Sequence, residues 1–140
     1  MAVDDLRKSP MMVHLMEALE RGEDVGHYGR LTFAMIAHKF VDRDELVGWL
    51  TKDKDCDEQK AKALVQQVEA RDYNPPSRRR IMEWQAQQAF PICPTPDDPD
   101  TCNPYRELTM PEEVLEDIEE YREQQFEAEA QGERAEAASR

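Results

Sequence analysis

Apolar residues recur along most of the chain at intervals of three and four, the spacing that lines one side of an α-helix. Met12, Leu15, Met16 and Leu19 form such a stripe over 11–21, and Gly22 ends it. Leu31, Phe33, Ala34, Met35, Ile36, Ala37 and Phe40 make the segment 28–40 apolar on several sides, which predicts a helix central to the fold. Asp42 stands three residues before Glu45, a capping-box spacing that opens a third helix carrying Leu46, Val47, Trp49 and Leu50. Asp55-Cys56-Asp57-Glu58 has the same form and leads into Ala61, Leu64, Val65 and Val68. Asn74-Pro75-Pro76 stops this fourth helix, because a residue before proline avoids helical backbone. Pro76 then opens a fifth, with Ile81, Met82 and Trp84. No stretch alternates apolar and polar residues as a half-buried strand does. The expected fold is a compact all-α bundle of about five short helices, with a Pro-rich irregular loop at 91–104.

The pattern changes near the C-terminus. Thr109-Met110-Pro111-Glu112 reads as a helix start, followed by Val114, Leu115, Ile118, Tyr121 and Phe126 at near-helical spacing. From Glu127 the chain is Ala, Glu, Gln, Arg and Ser without an apolar stripe, which predicts a disordered solubilising end. The expected division is a helical domain at 1–110 and an acidic helix with a tail at 111–140. Charge follows the same division. The chain carries a net −13, and its last thirty residues hold eleven acids and three Arg, a net −8. Such a field repels nucleic acid and anionic membranes wherever local geometry does not override it. No apolar run approaches the roughly 18 residues of a membrane span, and no secretory signal stands at the start. Three cysteines, an odd and small number, argue against a secreted disulfide framework. A cytoplasmic protein without membrane attachment is the expectation.

Candidate chemistry is sparse. The chain has no Gly-rich phosphate loop, no Gly-x-Ser-x-Gly elbow and no His-Glu-x-x-His, so no enzyme is expected. His14 reads as a surface residue and Cys56 as a small residue in a turn. Cys93 and Cys102 bracket Pro-Thr-Pro-Asp-Asp-Pro-Asp-Thr. They could meet as a redox-sensitive pair, serve as two ligands of a metal or cluster, or be buried for packing. Zinc and iron–sulfur sites want about four ligands, so two cysteines alone are too few and no cofactor is expected. Tyr73, Arg78, Arg79, Arg80 and Trp84 form the one concentrated basic and aromatic cluster. Arg forks bind phosphate bidentately and aromatic rings stack on bases. Gly26-His27-Tyr28-Gly29-Arg30 offers a second phosphate cradle, with two glycines for close approach and His27 and Arg30 as donors. The alternative is that these arginines pair with the many nearby acids.

Taken in order, the landmarks resemble the C-terminal helical domain of the large subunit of archaeal and eukaryotic DNA primase. They are Pro10-Met11-Met12; His27-Tyr28-Gly29-Arg30-Leu31-Thr32-Phe33; Glu45-Leu46-Val47-Gly48-Trp49-Leu50; Asp72-Tyr73-Asn74-Pro75-Pro76-Ser77-Arg78; Ile92-Cys93-Pro94; and Cys102-Asn103-Pro104-Tyr105. In that family four cysteines hold a four-iron–four-sulfur cluster. Here the first falls on Met11 or Met12 and the second on Arg78, which leaves Cys93 and Cys102. A thioether and a guanidinium cannot replace thiolates on iron. The resemblance thus implies a scaffold that lost its cluster and is held by packing, with an Arg salt bridge where iron would sit. It also implies nucleic-acid contacts at His27, Arg30 and Tyr73; Arg78, Arg79 and Arg80 are added from the residues themselves.

The resulting expectation is a non-catalytic accessory domain that binds a nucleotide triphosphate, a primer–template junction or single-stranded nucleic acid. It would work beside a primase-like catalytic subunit or another replication protein. The rival expectation is an acidic protein–protein adaptor that docks through a helix at 111–130.

Overall fold

In the computed structural model the described residues are 3–116, and among them every regular element is a helix. The chain divides into two compact units, Met1–Thr109 and Met110–Arg140. In the second unit, residues 112–116 are helical. The remainder of the expected acidic helix, the tail from Glu127 and the adaptor surface at 111–130 lie almost wholly outside the described residues.

The first unit begins with α1 (Val3–Leu6) and α2 (Pro10–Glu20). Ser9 caps α2 by accepting from Met12 N, and Pro10 occupies the first turn, where its missing N–H costs nothing. The α2 stripe Met12, Leu15, Met16 and Leu19 is fully buried. Next come α3 (Gly26–Ala37) and α4 (Arg43–Leu50). Asp42 caps α4, accepting from Glu45 N at 2.8 Å. α5 (Glu58–Arg71) is capped by Asp57, not by Asp55; Asp55 N instead donates to Asp53 Oδ1. α5 ends where Asp72 takes a left-handed conformation (φ 46°), which a short polar residue tolerates, and an ion pair with Lys39 ties it down. α6 (Arg78–Gln85) starts two residues later than the prolines suggest: Pro75 and Pro76 are buried in the bend, and Ser77 supplies the cap to Arg80 N. α7 (Pro104–Glu107) is a single turn at the end of the irregular loop.

α3 is the central helix, as its apolar residues on several sides predict. It packs against α2, α4, α5 and α6. Phe33, Ala34, Ile36 and Ala37 are completely buried, with Leu46, Leu50, Val65, Val68 and Ile81 around them. A side chain the size of Phe33 contributes about 1.5–3 kcal/mol by leaving water. Among the described residues no helix is long and apolar enough to cross a membrane.

Candidate nucleic-acid interface

The bend between α5 and α6 forms one side of a cavity of about 320 Å³. Leu31 and Met35 of α3 line it together with Tyr73, Pro76, Ser77, Arg80 and Trp84. Two contacts shape the bend. The Tyr105 hydroxyl donates to Pro75 O, and His38 Nε2 bonds Tyr73 O at 2.8 Å. A carbonyl only accepts, so His38 carries its proton on Nε2 in this bond. Burial pushes the His38 pKa below its ordinary value, against the smaller upward pull of that bond.

Beside the cavity runs a ladder of rings. The Arg80 guanidinium lies 5.9 Å from the Trp84 ring centre. Trp84 stacks on Tyr28 at 5.6 Å and 17°, and Tyr28 meets His27 edge-on at 5.3 Å. The Tyr28 hydroxyl donates to Gln87 Oε1, which joins the start of α3 to the turn that follows α6. Arg79 is 90% exposed and Arg80 62%, and among the described residues the one acid that each reaches is Glu83, at 3.4 and 3.9 Å. Exposed pairs of this kind hold their charges weakly, so a polyanion can compete for both arginines.

The other expected donors are differently employed. Gly26-His27-Tyr28-Gly29-Arg30 is not an open phosphate cradle, because Gln88 already fills it. Its Oε1 accepts from Tyr28 N at 2.9 Å, and its Nε2 donates to Val25 O and Phe90 O. Gly26 has a φ of 78°, and a Cβ there would stand 2.5 Å from Gln88 Oε1; one at Gly29 would stand 3.0 Å from Val25 Cβ. The glycines make room for an internal amide. Arg30 is only 12% exposed and faces Asp24, Asp53 and Asp55 at 3.2, 3.3 and 3.9 Å. Asp53, its side chain fully buried, also accepts from Val25 N and Asp55 N. Arg30 therefore neutralises a buried carboxylate, and freeing it would leave that charge uncompensated. His27 remains exposed on the ladder.

Arg78 is committed as well. Its guanidinium donates to Thr101 O, Pro96 O and Asp98 O at 2.9, 3.0 and 3.2 Å. The partners are backbone carbonyls, so the expected salt bridge is replaced by a hydrogen-bonded clamp. Cys93 and Cys102 form a disulfide, so neither sulfur is a metal ligand. With Met11 and Met12 buried in the core and Arg78 on carbonyls, these residues do not fit an iron–sulfur cluster. Two of the three cysteines thus join, and Cys56 is free and buried.

The structure thus brings Tyr73, Arg80, Trp84 and, beside them, Arg79 and His27 to one surface, and removes Arg30 and Arg78 from it. Residue patterns missed Gln88, Asp53 and His38. Each acts through a partner at least 23 residues away, and nothing local marks it. Comparison with protein-family models, curated proteins and solved structures finds no match to this chain.

Proposed function

We propose that this chain is a non-catalytic binding module for single-stranded nucleic acid or a nucleotide triphosphate. The observation that carries this reading is one juxtaposition. A cavity walled by Tyr73 and Trp84 opens beside two exposed arginines on the first turn of α6. A base stacks on aromatic walls while its phosphates pair with Arg79 and Arg80, a division of labour common to single-strand binders. His27, at the far end of the ladder, extends the polar margin. The resemblance to the primase large subunit supports a role beside a separate catalytic subunit.

A labelled single strand with a 5′-triphosphate, titrated at low salt and followed by anisotropy, tests the reading. Reversing both charges (Arg79→Glu with Arg80→Glu) removes most binding, and Trp84→Ala weakens it by about 1–3 kcal/mol, the worth of one stacked base. Absence of binding at low salt, or binding indifferent to the double reversal, overturns it. Arg30 is not a suitable target for this test, because its loss would damage the fold.

A further inference from the structure

Arg78 belongs to the same basic turn as Arg79 and Arg80, yet it is held by a loop that a disulfide closes. The three carbonyls on its guanidinium, those of Pro96, Asp98 and Thr101, all lie between Cys93 and Cys102. Within that loop the Thr101 hydroxyl has Thr95 O and Asp98 O within reach of its one proton, at 3.0 and 2.9 Å, and Asp100 N donates to Asp98 Oδ1. These bonds hold the carbonyls in the arrangement the guanidinium needs. Residues 94–100 are exposed throughout and include Asp97, Asp98 and Asp100. The closed loop therefore occupies one arginine of the basic turn and holds an acidic segment against it.

We infer that the Cys93–Cys102 disulfide gates the phosphate site: oxidised, it keeps Arg78 on the loop carbonyls, and reduced, it releases Arg78 to join Arg79 and Arg80. This inference rests on the binding function proposed above. The reductant is a dithiol. One of its thiolates attacks a cysteine sulfur, the S–S bond breaks, and the other cysteine leaves as a thiolate that takes up a proton. The second thiol of the reductant, as its thiolate, then displaces the first cysteine from the mixed disulfide, and that cysteine is protonated in turn. Two electrons pass to the protein, which ends with two thiols, and the reductant departs as a cyclic disulfide. Both sulfurs are buried, so the exposed loop must open before the reductant reaches them, and the gate answers to sustained reducing conditions. Once cut, the loop regains conformational freedom and three carbonyls no longer converge without cost.

The test compares oxidised and dithiothreitol-reduced protein, with circular dichroism confirming that the helices persist. Two readouts are taken: arginine modification by phenylglyoxal, mapped by mass spectrometry, and anisotropy of the 5′-triphosphorylated single strand across several salt concentrations. Reduction should make Arg78 reactive and tighten binding about tenfold to a hundredfold, the worth of one charge-assisted hydrogen bond. It should also steepen the salt dependence by about 0.7 in log–log slope, one further phosphate contact on a single strand. In Arg78→Ala the two redox forms should bind alike. Arg78 that stays protected after reduction overturns the gate, as does a reactive Arg78 with unchanged binding. If reduction melts the helices, Thr101→Ala decides with the disulfide intact: loosened carbonyls should raise Arg78 reactivity and strand affinity together, and no change in either overturns the gate. If neither redox form binds at low salt, the binding function itself fails, and the gate with it.

Discussion

At Gly26 a missing side chain makes the space that an amide from another part of the chain occupies. Gly26→Ala would place a Cβ 2.5 Å from Gln88 Oε1 at a φ of 78°. The left-handed backbone alone costs a non-glycine residue about 1–2 kcal/mol. Displacing Gln88 also frees Tyr28 N, Val25 O and Phe90 O, so a loss of about 2–4 kcal/mol in denaturant unfolding is expected. The pair of glycines was legible in the sequence, but its partner was not. A phosphate and an amide oxygen make the same demand on a bare helix start, and Gln88 sits 60 residues from Tyr28. The arginines pose the same difficulty, since only geometry separates Arg30 and Arg78, which are spent, from Arg79 and Arg80, which are available. His38 yields a prediction of another kind. Its pKa is below 6.5 when folded and near 6.5 when unfolded, so the unfolded chain takes up the proton first as pH falls. Stability is complete above about pH 6.5 and declines below it, down to the lowered folded value. Hydrogen bonds from Lys39 and Arg43 hold Asp72 and Glu69 below their ordinary 3.8 and 4.5, so a second loss begins only at more acid pH. Denaturant midpoints measured from about pH 7 to about pH 5 should fall for the natural chain and stay flatter for His38→Gln.

Of the helix starts read from the sequence, that of α4 holds to the residue, whereas α5 and α6 are capped by Asp57 and Ser77, residues the pattern did not single out as caps. Asp42 and its bond to Glu45 N follow directly from the sequence. α1 and α7, four residues each, are too short to display a helical period. Ser9 does more than cap α2: its hydroxyl also donates to Glu107 Oε2, while Glu107 Oε1 accepts from Cys102 N. Ser9→Ala therefore removes a cap and strips a hydrogen bond from a partly buried carboxylate. It should cost about 2 kcal/mol in chemical unfolding, against about 1 for the exposed cap removed by Asp57→Ala. Equal losses would mean that the link from α2 to α7 contributes little. The Tyr28–Trp84 stack joins helices that contact only in the folded chain, and no spacing rule reaches across 56 positions.

Over the whole chain, a net −13 sets the strength of any encounter with nucleic acid. With Arg30 and Arg78 occupied, the oxidised protein presents two arginines to a strand, so the log–log salt slope should be about −1.5. A measured slope near −5 would mean that a cationic surface elsewhere does the binding. The all-helical class and the central place of α3 were readable because apolar periodicity over a dozen residues averages out local exceptions. The disulfide was open among three readings until the backbone brought the two cysteines together. One further consequence belongs to Tyr28, which serves two masters: its amide is bound by Gln88 and its ring by Trp84. Any opening of α6 away from α3 must pass through this residue, so the hydrogen-exchange rate of a single amide, that of Tyr28, reports how often the ring ladder comes apart.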